Sequence, residues 1–463
     1  MAVYYKEEGI IGYITFDAPD SKVNVLSSTV LVAFEKILDE FKNTSAIKVI
    51  VIQSAKKDIF IAGADIKEIE NIVEVADGKV KSQAGQRVFN KLQDLLLPTI
   101  AVIDGAALGG GCELALACTY RVAAFNDKVR IGLPEVNLGF VPGFGGTYRL
   151  PRLVGLQSSL KLILSGNPVD ANASFKMGLV DRLYPQINLV SSVKEFAAEI
   201  APFGRKRNIR RQPKKGFDAF LDNNSIGQSI VIKKSREEVL KATKGFYPAP
   251  VKALETVAQT LRMTRARSLD IESSAFAELA VTPLSKNLVS VFYLQEKFKK
   301  LTVPGLENIQ PSPVRKGAVI GAGIMGGGIA QLFSNRGVWV RLKDINLDAI
   351  AKGLKAAYDV YYAGVKRRRV KPYELANKMA MISGTLDYSG FKDADIVIEA
   401  VVENMDVKKK VFAELSQNVG VQTILASNTS SLSVTDMAKV CKDPSKVIGF
   451  HFFNPVHRMP LIE

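Results

Sequence analysis

Short apolar runs alternate with amphipathic stretches along the first part of the chain. The apolar, β-rich runs lie at 9–18, 48–55 and 99–108, and helix-like stretches lie between them at 29–42 and 82–96. Apolar runs bounded by turn residues are typical of buried strands, whereas apolar positions three and four residues apart are typical of helices. The pattern therefore predicts an α/β domain over residues 1–188.

The pattern changes after this domain to amphipathic helical segments without intervening strands. The clearest of them lie at 250–263, 268–279 and 284–298. A short proline-bearing stretch at 306–313 follows and predicts a domain boundary. We therefore expect a helical connector over residues 189–313.

Strand and helix patterns alternate again from Lys316 onward. The strand-like runs are AVIG, VWVRLKD, ADIVIEAV, TILASN and VIGFHFF, with a long helical pattern after the second. This alternation predicts a second α/β domain, over residues 314–463, built on parallel strands.

Composition narrows the class of protein. The chain has 463 residues, of which 47% are hydrophobic, and it contains neither a signal-peptide pattern nor a long uninterrupted apolar window. These features predict a soluble protein with no integral membrane segment. The three cysteines, Cys112, Cys118 and Cys441, are odd in number and lack paired spacing. They favour a reducing compartment, and we expect a cytoplasmic location.

The net charge of +16 leaves nucleic acid, an anionic membrane and a polyanionic small molecule open as partners. Basic residues cluster at 205–215 and 366–369. They form either a solvated face or a field that favours a phosphate-rich ligand such as coenzyme A. No nucleic-acid-binding motif accompanies them, so we expect no nucleic-acid partner. His451 and His457 are the only histidines, which argues against a His-rich metal site, and no metal is predicted.

A glycine-rich segment follows the first strand of the second α/β domain. Gly321, Gly323 and Gly326 have the G-x-G-x-x-G spacing of a Rossmann dinucleotide site, between a strand and a helix. The first glycine allows a tight turn, the second makes room for a pyrophosphate, and the third lets helix and strand pack closely. Asp344 ends the next strand, where a carboxylate binds ribose hydroxyls and repels a 2′-phosphate. The cofactor predicted is NAD.

His451 lies where a later strand should end, at the edge of the sheet that faces ligands in open α/β folds. It is either a buried structural histidine or a catalytic base. Ser430 also follows a strand, and Glu463, twelve residues after His451, could orient the imidazole. Oxidation of a hydroxyl by NAD requires a base for the O–H proton, and a His–Glu pair supplies one near neutral pH.

The segments GAGIMGGGIA, EAVVEN, ASNTSSL and HFFNPVHRMPLIE together resemble the L-3-hydroxyacyl-CoA dehydrogenases. The resemblance implies that His451 is the catalytic base, that Glu463 is its partner and that Ser430 contacts substrate and nicotinamide. It further implies an NAD site lined by Met325, Asp344, Val401, Val402, Glu403, Lys408, Ser430 and Asn454, beside the three glycines.

Two segments of the first domain, IAGADIKE and GAALGGGCELA, offer exposed backbone rather than a nucleophile. Glycines 109–111 let a carbonyl oxygen approach backbone N–H groups, as an oxyanion hole for a thioester enolate requires. Glu113 follows, and Glu135 lies in GLPEVNLGF. Each glutamate is either satisfied by a salt bridge or catalytic. Two carboxylates near one oxyanion hole suit addition of water to a double bond, because their pKa values split.

These segments resemble the enoyl-CoA hydratase/isomerase (crotonase) family over residues 8–185. The resemblance implies a crotonase-like spiral fold, oxyanion donors at the N–H groups of Ala64 and Gly110, and acid/base roles for Glu113 and Glu135. The stretch between the two glutamates is about two residues longer than the family pattern, and a surface turn around residues 125–128 could absorb the difference.

A hydratase, a helical connector and a dehydrogenase in this order resemble bacterial multifunctional β-oxidation enzymes. The resemblance implies acyl-CoA substrates, hydration of trans-2-enoyl-CoA, NAD-dependent oxidation of the (3S)-3-hydroxyacyl-CoA, a thiolase β-subunit as partner and a homo-oligomer; enoyl isomerisation stays open. Such enzymes continue into further helical domains beyond the position of Glu463. We therefore expect either a fragment or a truncated form with a working hydratase and a weak or absent dehydrogenase. A non-catalytic scaffold and a nucleic-acid-associated protein are the alternatives.

Overall fold

The computed structural model describes residues 2–19, 21–41, 46–204, 216–299, 305–306, 309–367 and 369–463. The basic cluster at 205–215 and Arg368 of the second cluster lie outside these residues. The chain divides into two compact units, Met1–Thr302 and Val303–Glu463. The helices expected in a connector thus belong largely to the first unit, and the three-domain boundaries stay predictions.

The first unit contains two sheets. Its described strands are β1 (Val3–Glu8), β2 (Ile11–Phe16), β3 (Val49–Ser54), β4 (Ile59–Ile61), β5 (Thr99–Ile103), β6 (Ala106–Leu108), β7 (Tyr120–Phe125), β8 (Arg130–Gly132) and β9 (Arg182–Pro185). Among these, the larger sheet has the order β1-β2-β3-β5-β7-β9 and the smaller one β4-β6-β8. Only the β1–β2 pairing is antiparallel.

The predicted run at 99–108 forms two strands in different sheets. β5 pairs with β3 and β7, whereas β6 pairs with β4 and β8. The chain turns at Gly105, where a Cβ atom would overlap the backbone of Asp58. Hydropathy alone misses this break because both strands are apolar.

The helices of the first unit surround the two sheets. They are α1 (Ser28–Glu40), α2 (Ile66–Glu70), α3 (Val75–Gln93), α4 (Gly110–Ala117), α5 (Gly146–Val154), α6 (Leu156–Ser165), α7 (Ala171–Lys176), α8 (Leu189–Ile200), α9 (Gly216–Asn223), α10 (Ser225–Thr243), α11 (Pro248–Thr260), α12 (Arg265–Ala280) and α13 (Pro283–Lys299), with 3-10 turns at Glu135–Leu138, Gln186–Asn188 and Ala201–Phe203. Ala275 and Phe276 of α12 belong to the same buried cluster as the strands. The apolar face of this helix is therefore part of the hydratase-like core.

The second unit is a single parallel sheet with helices. Its described elements are β10 (Lys316–Ile320), α14 (Ile324–Asn335), β11 (Trp339–Lys343), α15 (Leu347–Lys366), α16 (Pro372–Ala380), β12 (Ile382–Thr385), β13 (Ile396–Glu399), α17 (Met405–Asn418), β14 (Ile424–Ser427), α18 (Val434–Ala438), a 3-10 turn at Pro444–Lys446 and β15 (Val447–Gly449). The order is β12-β11-β10-β13-β14-β15, with every pairing parallel.

This order is 3-2-1-4-5-6 in chain sequence, the order of a Rossmann sheet. It confirms the predicted α/β class and the NAD-binding type of fold. The strand order reverses between β10 and β13, where ligands bind in such sheets. Across the part of the chain that the structure describes, no helix combines the length and the apolar character needed to cross a bilayer.

Candidate functional site

The two glutamates predicted from the sequence are both buried in the first unit. Glu113 lies in the first turn of α4 and is 2% exposed, and Glu135 opens the turn Glu135–Leu138 and is 7% exposed. Gly109 lies between them: it has a positive φ of 52°, and a Cβ atom there would lie 3.0 Å from Glu135 Oε1. A residue with a side chain at position 109 would thus be strained and would crowd Glu135.

The hydrogen bonds of the two carboxylates differ. Glu113 Oε1 accepts from the backbone N–H groups of Phe144 and Gly146, each at 2.7 Å. Glu135 Oε2 is buried and has no hydrogen-bond partner among the described residues. Native structures rarely leave a buried carboxylate oxygen unsatisfied, so Glu135 is free to bond to a bound molecule.

Burial raises the pKa of both groups. The pKa of Glu113 lies well above its usual range because of burial, and the neighbouring Glu135 and Glu272 carboxylates raise it further. Burial raises the pKa of Glu135 to about 8, and Glu272 adds to this shift. Two carboxyl groups with raised pKa values do not both ionise at neutral pH, which is the condition for one acid and one base in a single site.

Two backbone N–H groups close to this pair have no backbone acceptor among the residues that the structure describes. The two residues next to Ala64 both bond to Leu26: Gly63 O accepts from Leu26 N, and Asp65 N donates to Leu26 O. Gly110 is the first residue of α4, where an N–H has no intrahelical acceptor. A Cβ atom on Gly110 would lie 3.2 Å from Ala64 N, so the two groups are close. The structure thus brings together the two N–H groups that the sequence predicts as oxyanion donors, and that role stays a prediction.

Sequence reasoning missed a third buried glutamate. Glu272 of α12 is fully buried and accepts hydrogen bonds from the loop that holds Glu113. A signal was present: Glu272 lies on the apolar stripe of its helix with Leu269, Phe276 and Leu279, where a charged residue is out of place. Its partners, however, lie more than 120 residues away and could not be identified.

The geometry of the glycine loop of the second unit suits the three predicted roles. Gly321 has a positive φ of 93°, and a Cβ atom there would overlap the carbonyl oxygen of Ala400. A Cβ atom on Gly326 would overlap the Gly321 carbonyl oxygen, so α14 lies directly against the turn. Gly323, by contrast, faces open space at the N-terminus of α14. The residues present thus fit a pyrophosphate at Gly323.

The other predicted NAD residues follow the carboxyl ends of neighbouring strands. Asp344 follows β11 and accepts a hydrogen bond from Ala322 N at 2.6 Å, which ties it to the glycine loop. Val401 and Val402 follow β13, and Val402 is exposed. Met325 is partly buried in α14. These residues lie along one edge of the sheet, as expected.

Lys408 lies behind this edge. It is 1% exposed and forms ion pairs with Glu399 at 2.6 Å and with Glu403 at 3.3 Å. Glu399, which the sequence interpretation overlooked within EAVVEN, also accepts from Ser427 Oγ and Val401 N. Glu403 accepts from Ser430 N at 3.1 Å. The buried ion pair therefore links the ends of β13 and β14 and supports Ser430.

His451 and Glu463 form the predicted pair. His451 Nδ1 lies 3.1 Å from Glu463 Oε2, and the two backbones exchange N–H···O bonds of 2.8 and 3.0 Å. The bond from Phe452 N to Asn428 Oδ1 holds this segment to the end of β14. Asn428 was not predicted, although it lies in ASNTSSL. Asn454 is exposed three residues after His451.

Over the described ranges, no group of three or more His, Cys, Asp or Glu side chains is arranged to hold an ion.

Comparisons with known proteins agree with both units. Residues 6–244 match the family model for enoyl-CoA hydratase/isomerase, and residues 316–463 match the model for the NAD binding domain of 3-hydroxyacyl-CoA dehydrogenase. A curated relative, the fatty acid oxidation complex subunit alpha of Shewanella sp. strain MR-4, is 40% identical over 459 residues, which are 99% of this chain and 64% of that protein. The chain thus spans less than two thirds of this relative's length.

Two solved structures are also similar. The (S)-3-hydroxybutyryl-CoA dehydrogenase from Ralstonia eutropha is 39% identical over 32% of this chain and 53% of its own, with a TM-score of 0.32. An enoyl-CoA hydratase from Bacillus anthracis is 25% identical over 65% of this chain and 96% of its own, with a TM-score of 0.42. The predicted NAD-binding type of the second unit is confirmed by its family model. Because the first family model covers more than half of its length, the chain belongs to the enoyl-CoA hydratase/isomerase family.

Proposed function

We propose that the first unit hydrates trans-2-enoyl-CoA to (3S)-3-hydroxyacyl-CoA and that the second oxidises this product with NAD to 3-oxoacyl-CoA. The observation that carries the proposal is the buried pair Glu113 and Glu135 beside the unsatisfied N–H groups of Ala64 and Gly110. A buried carboxylate oxygen and two N–H donors that lack partners among the described residues suit a bound thioester, which would satisfy all three.

In the hydration step, the N–H groups of Ala64 and Gly110 hold the thioester oxygen and stabilise the negative charge of the enolate. Glu113 accepts two backbone hydrogen bonds, which favour its ionised form, so we assign it the proton of the attacking water. Glu135 Oε2 has no hydrogen-bond partner among the described residues, and burial raises the pKa of Glu135 to about 8, so we assign Glu135 the proton that is delivered to the α-carbon. The hydroxyl of water joins the β-carbon, and the proton returns from Glu113 to Glu135 before the next turnover.

In the oxidation step, His451 takes the proton of the substrate hydroxyl on Nε2, because Nδ1 faces Glu463. Glu463 stabilises the imidazolium that results. Bound NAD would supply the acceptor for the hydride that leaves the substrate carbon. Gly321 and Gly323 would hold the pyrophosphate of the cofactor, and Asp344 would hold its ribose.

Two separate assays test the proposal. Hydration of crotonyl-CoA and NADH formation from (S)-3-hydroxybutyryl-CoA are measured for the unsubstituted protein, for Glu113→Gln and for His451→Gln. We expect Glu113→Gln to lose hydration alone and His451→Gln to lose NADH formation alone, each by about 100-fold or more. Unsubstituted protein that hydrates no enoyl-CoA would refute the first assignment, and NADH formation unaffected by His451→Gln would refute the second.

We further propose a cytoplasmic homo-oligomer that binds a thiolase β-subunit. The curated relative is named a subunit of a fatty acid oxidation complex, which supports a multisubunit assembly. All three cysteines are free, which suits a reducing compartment. Affinity purification from the source cells, with identification of co-purifying thiolase, tests the assembly; cell fractionation tests the location.

A further inference from the structure

We infer that Glu272, contributed by α12 from the segment expected to be a connector, is a positioning residue of the hydration site. It acts by holding the loop at residues 144–147, which in turn holds Glu113. The inference deepens the proposed hydration and rests on it. Glu272 is 0% exposed, and its carboxylate forms no salt bridge within 4 Å among the described residues, so its hydrogen bonds are the main compensation for its burial.

Four donors converge on this carboxylate. Glu272 Oε1 accepts from Gly145 N at 2.6 Å and from Gln86 Nε2 at 3.1 Å. Glu272 Oε2 accepts from Thr147 N at 2.8 Å and from Thr147 Oγ1 at 2.6 Å. Three of the four donors are N–H groups, which cannot accept the hydrogen of a protonated carboxyl. Burial raises the pKa of Glu272, and the hydrogen bonds from Thr147 and Gln86, together with the charge of Arg149, oppose that shift. The arrangement therefore suits an ionised Glu272.

The backbone N–H groups of the loop alternate between two carboxylates. Those of Phe144 and Gly146 donate to Glu113, whereas those of Gly145 and Thr147 donate to Glu272. Successive N–H groups thus point to opposite sides of the loop. If Glu272 releases its side, the loop is free to shift, and the two N–H groups that fix Glu113 shift with it. A displacement of about 1 Å at a reacting group can reduce a rate about 100-fold.

The charge of Glu272 acts on the same site. Its carboxylate raises the pKa of Glu113 and of Glu135, after the larger effect of burial. The other charged group that faces it is Arg149 of α5, which donates to Phe144 O at 2.7 Å and is attracted by Glu272. Removal of the negative charge at position 272 would lower the pKa of both members of the pair. The pH dependence of hydration would then move as a whole to lower pH.

The test uses three variants of the full chain. Glu272→Gln removes the charge and replaces one acceptor oxygen by a donor. Glu272→Asp keeps the charge with a shorter reach. Glu278→Gln is the matched control: it makes the same change six residues later on α12, where Glu278 is exposed and forms an ion pair with Lys252. Hydration of crotonyl-CoA is measured as kcat and KM over a range of pH, and circular dichroism checks folding.

We expect Glu272→Gln to lower kcat about 10- to 100-fold with a smaller change in KM, and to move both limbs of the pH profile to lower pH. Glu272→Asp should lower kcat but leave the limbs in place, because the charge is retained. Glu278→Gln should match the unsubstituted protein. Folded Glu272→Gln protein with unchanged kcat and pH limbs would overturn the inference, as would a lower kcat with unmoved limbs, which a purely structural role would give.

Should Glu272→Gln not fold, Thr147→Val removes a single hydrogen bond from Glu272 and serves as the milder variant. We expect kcat for hydration to fall several-fold while KM changes little, and unchanged kcat would overturn the inference. If the unsubstituted protein has no hydratase activity, the proposed function itself fails. If the unsubstituted protein is active and the variants at positions 272 and 147 behave like the control Glu278→Gln, the inference fails and the proposed function stands.

Discussion

Replacing Glu135 by Gln should abolish hydration and, at the same time, stabilise the first unit. The raised pKa of Glu135, from 4.5 to about 8, means that the folded protein resists its ionisation. The contribution of this group to stability is fully present below pH 4.5 and is lost as the pH rises through about 8. Glutamine has nearly the same shape, cannot ionise and so escapes this loss.

The size of the effect follows from the pKa. A pKa difference of one unit between the folded and the unfolded state corresponds to about 1.4 kcal/mol. Full ionisation of Glu135 therefore lowers the free energy of unfolding by about 5 kcal/mol. At pH 7 the loss is about 3 kcal/mol. The advantage of Glu135→Gln should therefore grow by about 1.4 kcal/mol per pH unit between about pH 5 and pH 8, and then level off.

The unfolding measurement must report on the correct unit. The only tryptophan, Trp339, lies in β11 of the second unit, so its fluorescence does not follow unfolding around Glu135. Proteolysis at increasing urea concentrations follows the unfolding of the first unit when the fragments that come from this unit are measured. The control is Glu278→Gln, which changes an exposed glutamate. An advantage of Glu135→Gln that does not vary with pH, or a Glu135→Gln variant that still hydrates crotonyl-CoA at the original rate, would refute the reasoning.

Three predictions concern the second unit. Lys408→Met should lower its free energy of unfolding by about 3 to 5 kcal/mol, because it leaves Glu399 buried without its ion-pair partner; urea titration followed by the fluorescence of the single tryptophan measures this, and a loss below about 1 kcal/mol would contradict it. Asp344→Ala should weaken NADH binding about tenfold and reduce the preference for NADH over NADPH, because the carboxylate that would bind the ribose hydroxyls is lost. Titrations with NADH and with NADPH, followed by nicotinamide fluorescence, measure both affinities. An unchanged preference for NADH would count against a ribose-binding role of Asp344. Glu463→Gln should lower kcat for NADH formation about 10- to 100-fold with little change in KM, since His451 loses its charged partner, and a kcat equal to that of the unsubstituted protein would exclude this pairing.

The residues that the structure places as the sequence suggested depend on neighbours close along the chain. The glycine loop of the second unit is one example: Gly321, Gly323 and Gly326 act within a single strand, turn and helix, so their spacing alone predicts their surroundings. The pair of His451 and Glu463 is another, because twelve residues separate them and a short loop joins them. Local geometry sets both arrangements, and it can be read from one segment.

The features that could not be predicted depend on distant segments. Glu272 meets Thr147 across 125 residues, and no pattern near either position names the other. The break at Gly105 depends in the same way on the backbone of Asp58, which occupies the space of a side chain. Periodicity identifies which residues are buried, but the choice of partner comes from tertiary packing.

Glu272 and Glu135 of the first unit are both buried, and they differ in their hydrogen bonds rather than in their burial. Glu272 has four donors and its ionised form is satisfied, whereas Glu135 has a buried oxygen without a partner. Substitution by Gln should thus have opposite effects on stability at the two positions. At position 272 it leaves donors without acceptors and should lower the free energy of unfolding by about 1 to 3 kcal/mol, whereas at position 135 it relieves a group held ready for chemistry. Proteolysis at increasing urea concentrations measures the change in the free energy of unfolding for both variants. Changes of the same sign would mean that burial alone determines how these two carboxylates affect stability.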